Sequence, residues 1–166
     1  MASQLSGEDP DADGVSLLDR EDVDLSLLSV LAARLARAVR PGDLVLLHGP
    51  LGAGKTTFVR LLARGLGVTD QVRSPSFTIA NVYAGPILVN HLDLYRLEGF
   101  DDEDVLALDE YASPEAVTMV EWPEAGMSRL GAAAWTVRLD HESLETRRFR
   151  LAARDAEVAA RWEAAR

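Results

Sequence analysis

Apolar positions along the chain fall into two rhythms, one helical and one extended. From Ser26 to Val39 the residues Leu27, Leu28, Leu31, Leu35 and Val39 lie on one helical stripe. Pro41-Gly42 stops that helix. A short strand, VSLL, is predicted before it. Leu44 to His48 is a continuous apolar run, the pattern of a strand buried on both faces. A glycine-rich turn follows, and then a helix from Lys55 to Gly65. The segments FTIANVY and ILVNHLDLY read as strands around the turn signal AGP and predict a hairpin. Gly99 to Glu110 is acidic and predicts a loop with a short helix. AVTMVEW, Ala116 to Trp122, predicts another buried strand ending at Glu121. AWTVRLD and RRFRLAA predict a terminal strand pair. Helices mixed with two very apolar strands indicate an α/β fold in which antiparallel strands are added to a parallel core.

Composition sets the frame for these elements. The chain has 166 residues, enough for one compact domain with a real core. Residues 1–14 carry many carboxylates and few large apolar side chains, which predicts a disordered acidic tail. A single domain over 15–155 follows, and 156–166 reads as a short helix or frayed tail. No apolar run approaches the ~20 residues that span a bilayer, and the acidic N-terminus does not resemble a secretory signal. With no cysteine, disulfides, thiolate catalysis and cysteine-ligated zinc are excluded. The expected compartment is the cytoplasm. The net charge is −10, concentrated in residues 1–24, where eight carboxylates face Arg20 alone. No Lys/Arg cluster offers a broad phosphate-tracking surface, so direct nucleic-acid binding by this chain alone is not expected.

The candidate chemistry begins at LLHGPLGAGKTTF, Leu46 to Phe58. It contains Lys55, the only lysine beside sixteen arginines. Gly49-x-x-x-x-Gly54-Lys55-Thr56 matches the P-loop pattern at every defined position, in the right context of buried strand before and helix after. Such a loop turns successive backbone N–H groups around phosphate oxygens, and the helix N-terminus adds partial positive charge. A compact ammonium reaches into the wrap where the wider arginine fork does not. Gly52 and Gly54 supply the backbone freedom for this wrap, and Lys55 is the expected phosphate contact. Thr56 is expected to place its hydroxyl on Mg²⁺.

The second metal contact is expected at the end of a neighbouring apolar strand. Glu121 is the candidate there, against the alternative of an ordinary strand-end carboxylate. Alternation puts His91, Asp93 and Tyr95 on one strand face. Asp93 is either a site residue or is bonded structurally to Arg96 or a hydroxyl, and His91 reads as a packed or hydrogen-bonded histidine. RSPSFT, Arg73 to Thr78, is either a plain surface turn or a switch-like loop whose Ser76 or Thr78 meets the γ-phosphate or the metal. The acidic stretch EGFDDED is given no catalytic role.

Taken together, GPLGAGKTT, SPSFT, HLDLYRL and VEWPE resemble the bacterial TsaE (YjeE-type) P-loop ATPase family over Asp24 to Leu151. The resemblance implies a P-loop NTPase-like three-layer fold with a mixed sheet. It also implies a small Mg²⁺-dependent ATPase needed for threonylcarbamoylation of the adenosine beside the anticodon in tRNAs reading A-starting codons. Its partners would be TsaD-like and TsaB-like proteins, with tRNA met only indirectly and no membrane. The family's metal ligands fall on Thr56 and Glu121, its catalytic aspartate on Asp93, its ATP loop on Leu51 to Thr56, and its tryptophan after the metal glutamate on Trp122. A nucleotide contact near the start of the first helix falls on Asp24 or Leu25. With these, Lys55, Asp93 and Glu121 form the expected catalytic set, and Leu51, Gly52, Ala53, Gly54, Lys55, Thr56, Thr57, Ser76 and Trp122 are the expected cofactor contacts. Two departures stand out: Ser-Pro-Ser replaces the usual Ser-Pro-Thr, and the acidic extension before Leu17 is longer than typical. Two other classes fit the same loop: a small-molecule kinase, which needs an acceptor pocket and an arginine-bearing lid, and a nucleotide-dependent binding switch without turnover.

Overall fold

A computed structural model describes residues 14–75, 78–95 and 108–166. In chain order the elements are β1 (Val15–Val23), α1 (Leu25–Ala38), β2 (Leu44–His48), α2 (Lys55–Gly65), β3 (Ala80–Tyr83), β4 (Leu88–Asp93), α3 (Leu108–Tyr111), β5 (Ala116–Glu121), α4 (Met127–Leu130), β6 (Trp135–His141), β7 (Arg147–Ala153) and α5 (Ala156–Ala164). A 3-10 turn at Pro123–Ala125 lies between β5 and α4. Among the described residues the strands make one seven-stranded sheet in the order β1-β7-β6-β2-β5-β4-β3. β6, β2, β5 and β4 run parallel. β7, β1 and β3 join antiparallel at the two rims.

The apolar runs decide this layering. Every residue of β2 and of β5 is buried. Alternation along β2 sends Val45 and Leu47 into a large core shared with α1, α2 and α5. It sends Leu44 and Leu46 into a smaller one shared with Leu108 of α3 and Leu130 of α4. Helices therefore cover both faces of a mixed sheet. Asp24 starts α1 by accepting the Leu27 N–H at 2.8 Å, which satisfies one of the donors a helix leaves open at its start. α2 buries Phe58, Val59, Leu62 and Ala63 on one stripe, and Phe58 packs against Phe149 of β7. α5 docks through Val158 and Trp162. No helix among the described residues is long and apolar enough to cross a membrane.

β1 is longer than the sequence pattern indicates: it spans nine residues rather than the four of VSLL. Its second half, DREDV, lacks an alternating apolar face, which is why periodicity misses it. Among the described residues it is an edge strand, paired with β7 alone, and charged exposed residues are tolerated and even useful on such an edge. Register shifts at Ser16/Leu18 and Arg20/Val23 bend it. Asp22 takes a left-handed conformation, φ 54°.

The parallel core has a consequence for function. The carboxyl ends of β2, β5, β4 and β6 reach one edge of the sheet, and Asp93 is in register with Glu121 on the adjacent strand. Open α/β sheets bind ligands at this edge, beside the strand where the order of connection reverses.

Candidate functional site

The glycine-rich loop leaves β2 at that edge. Gly49 has φ 137°, and a Cβ there would come within 2.1 Å of the Leu139 carbonyl oxygen on β6, so no side chain fits. Gly54 caps α2 in a left-handed conformation, φ 103°. A Cβ on Gly54 would meet nothing within 4 Å, so there the dihedral, not crowding, selects glycine. α2 begins at Lys55, whose side chain folds back into the loop. Its Nζ donates to the carbonyls of Gly49 at 2.7 Å and Pro50 at 2.9 Å, and lies 3.9 Å from the centre of the Trp122 ring. The residue is only 4% exposed. Burial pushes the ammonium pKa down, and Glu121, Asp93 and Glu124 pull it back up.

Thr56, the next residue, donates its hydroxyl to both oxygens of Glu121, at 2.8 and 3.0 Å. Glu121 ends β5 and is buried. Its Oε1 also meets His91 Nε2 at 2.8 Å. A carboxylate only accepts, so Nε2 carries the proton, while the buried Nδ1 has no partner among the described residues. His91 thus orients Glu121 from β4. A hydroxyl and a carboxylate in direct contact are hard oxygen donors. Mg²⁺ characteristically takes one or two such protein groups and fills its remaining positions with phosphate oxygens and water. Among the described residues no three His, Asp or Glu converge on a cation site, so this pair suits a metal that arrives with a phosphate ligand.

Asp93 stands beside Glu121 at the end of β4. Its Oδ2 accepts from Ser74 Oγ at 3.0 Å and its Oδ1 from the Tyr95 N–H at 3.1 Å. The strand ends at Asp93, so Tyr95 leaves the expected alternation. It lies in a turn, and its ring packs at a tilt of 45° against Trp122 with centroids 4.8 Å apart. Trp122 itself takes a left-handed backbone, φ 55° and ψ 53°, which is uncommon for a large side chain. That conformation turns the ring back over Lys55. Behind it, His48 Nδ1 and Glu124 Oε1 are 2.8 Å apart. The hydrogen bond from His48 holds the Glu124 carboxyl below its ordinary range, against the opposing effect of burial.

The fold brings together Leu51 to Thr56, Asp93, Glu121 and Trp122, with Thr57 half-buried in the first turn of α2. Ser76 and Arg96 lie outside the described residues. Thr78 bonds locally, to the Ala80 carbonyl. Among the described residues of that stretch, Ser74 is the hydroxyl that meets Asp93. Two further contacts on the loop have no signal in the sequence. His141 Nε2 lies 3.1 Å from the Leu51 carbonyl oxygen, and Arg147 Nε donates to the Ala53 carbonyl at 3.0 Å. Both come from the β6–β7 hairpin, some ninety residues away in the chain.

Comparison with known proteins supplies the context for this geometry. The family model described as "Threonylcarbamoyl adenosine biosynthesis protein TsaE" matches residues 24–149. A Streptomyces coelicolor protein described as tRNA threonylcarbamoyladenosine biosynthesis protein TsaE is 47% identical over 115 residues, covering 66% of this chain and 76% of its own. A Mycobacterium bovis protein of the same description is 35% identical over 122 residues, covering 68% and 73%. A crystal structure of Bacillus subtilis YdiB superposes with a TM-score of 0.74 at 30% identity, covering 89% of this chain and 93% of that one.

Proposed function

The chain belongs to the TsaE family of threonylcarbamoyl adenosine biosynthesis proteins, and from that premise we propose that it is a Mg²⁺-dependent ATPase. Its hydrolysis serves threonylcarbamoylation of the adenosine beside the anticodon in tRNAs reading A-starting codons. It acts in the cytoplasm on a complex of TsaD-like and TsaB-like proteins. The observation that carries this reading is the contact of the Thr56 hydroxyl with Glu121, 2.8 Å, directly behind Lys55 and the glycine loop.

In this reading the loop's backbone N–H groups hold the β- and γ-phosphates. Lys55 exchanges its contacts with the Gly49 and Pro50 carbonyls for phosphate oxygens, which its short point-charge head can reach. Thr56 and Glu121 would hold Mg²⁺, which when bound neutralises phosphate charge. His91 fixes the orientation of Glu121. Asp93, held by Ser74, orients the attacking water and accepts its proton. Trp122 covers the lysine and keeps bulk water from it.

Reconstitution tests the whole reading. Purified TsaD-like and TsaB-like partners, tRNA and ATP are combined with and without this chain, and modified tRNA and released phosphate are both counted. Multiple rounds of modification that need the chain and are matched by phosphate release support the proposal. Transfer of the phosphate to a small acceptor would make the protein a kinase. Modification without turnover of ATP would make it a switch.

A further inference from the structure

The β6–β7 hairpin touches the glycine loop at two carbonyls, and both contacts have a directional consequence. In a trans peptide unit the C=O and the N–H point in opposite directions. The Leu51 carbonyl points at His141 Nε2, 3.1 Å away, so the N–H of the same unit, which belongs to Gly52, points away from the hairpin. The Ala53 carbonyl points at Arg147 Nε, 3.0 Å away, so the Gly54 N–H also points away from it. Glycine has the freest backbone of any residue, so these units are the ones least able to hold an orientation unaided.

Arg147 is itself held. Its Nη1 donates to the carbonyls of Ser143 at 3.0 Å and Thr146 at 2.8 Å. The guanidinium is thus pinned by the hairpin turn and presents its remaining edge to the loop. The arginine fork is planar and rigid, so fixing one edge fixes the direction of the other. Arg147 also pairs in register with Val23 at the end of β1 and with His141 across the hairpin. The brace is therefore built on sheet rather than on loop.

We infer that Arg147 and His141 are positioning residues of the nucleotide site: they hold two alternate peptide units of the loop so that the Gly52 and Gly54 N–H groups face the phosphates. This rests on the reading of the loop as a nucleotide-phosphate cradle. Arg147 is the stronger member, because its donor is charged and itself anchored. Neither residue touches the phosphates; both act through the backbone. A pre-set loop spares the ligand the cost of ordering it.

The experiment compares wild type with Arg147→Met, Arg147→Lys and His141→Ala in the full chain. A fluorescent ADP analogue measures affinity, partner-stimulated phosphate release gives KM and kcat, and ¹H–¹⁵N spectra of the nucleotide-free protein follow the Gly52 and Gly54 amides. Arg147→Met is expected to weaken the analogue by about 10–100-fold, the range seen when an outer residue that orients a metal's ligands is removed. KM should rise while kcat changes little, and the two glycine amides should shift or broaden before any ligand is added. Arg147→Lys, which keeps a donor, should recover part of the loss. His141→Ala replaces an exposed residue and should perturb Gly52 more than Gly54; it carries the test if Arg147→Met fails to fold. Unmoved glycine amides with wild-type affinity in Arg147→Met, or in His141→Ala where the first does not fold, would overturn the brace. If wild type takes no nucleotide, the cradle reading fails, and the glycine amides alone still decide whether the hairpin orients the loop.

Discussion

Asp93→Asn and Glu121→Gln should separate nucleotide binding from hydrolysis, and the structure says why both variants should fold. Asp93 is half-buried and, among the described residues, accepts two hydrogen bonds, from Ser74 Oγ and the Tyr95 N–H. In the amide, Oδ1 keeps the Tyr95 bond, and the Ser74 hydroxyl rotates to accept from Nδ2. The change trades two charged bonds for neutral ones, about 2 kcal/mol of stability. Glu121 is buried and receives Thr56 and His91. Its amide loses about 2 kcal/mol by the same arithmetic over two bonds, and removing a buried charge offsets part of this. The functional terms are larger. Taking away a carboxylate that positions water or accepts its proton costs roughly 10²–10⁴ in rate, or about 3–5 kcal/mol in the barrier. Glu121→Gln should instead weaken Mg²⁺-dependent nucleotide binding, since a neutral amide is a poorer ligand for a hard cation. Titrating nucleotide with and without Mg²⁺, beside partner-stimulated phosphate release, reads both effects. If Asp93→Asn abolishes Mg²⁺-nucleotide binding while Glu121→Gln binds normally, the two roles are reversed. If Asp93→Asn turns over like wild type, Asp93 is only the anchor of Ser74.

Three further outcomes follow from the geometry. Lys55→Arg should lose most nucleotide affinity, because a guanidinium does not fit among two loop carbonyls and the Trp122 ring in a space that leaves the lysine 4% exposed; near-normal titration would refute the steric argument. Gly49→Ala should destabilise the fold by at least about 1–3 kcal/mol in chemical denaturation, since its Cβ would come within 2.1 Å of the Leu139 oxygen at a positive φ; a wild-type midpoint would contradict this. For Glu124 the His48 hydrogen bond depresses the folded-state pKa. Its charge therefore stabilises the protein above the ordinary carboxylate pKa, and that contribution disappears as pH falls through the depressed value. Glu124→Gln should lower the melting temperature at neutral pH, with the gap to wild type closing on acidification; a gap constant from pH 7 to pH 3 would show that the pair is not linked to folding.

Local patterns were legible where local physics sets them. The buried run of β2, the spacing of Gly49, Gly54, Lys55 and Thr56, and the stripe of α1 needed no partner to be read. The β3–β4 hairpin showed through AGP. Contacts made by sheet assembly were not legible. Nothing near Arg147 in the chain says that β7 will lie beside β6 with Arg147 opposite His141. Nothing in RSPSFT says that the Ser74 hydroxyl will meet Asp93. Charge also regrouped on folding. The sequence has no basic cluster, yet Arg37, Arg40, Arg161 and Arg166 line one shallow surface cavity. Three of them are engaged there, Arg161 with Asp43, Arg37 with the Ala165 carbonyl and Arg166 with Glu163.

The lone lysine has a chemical corollary. An amine-directed acylating reagent meets one side-chain amine in the whole chain, and that amine is enclosed by two carbonyls and an indole. A protease that cuts after lysine has one target, the bond from Lys55 to Thr56, inside the first turn of α2. Cleavage yields residues 1–55 and 56–166 and nothing else, and requires that turn to open. Two bands on a gel would therefore time the opening of the site itself, without a label, a mutation or a substrate.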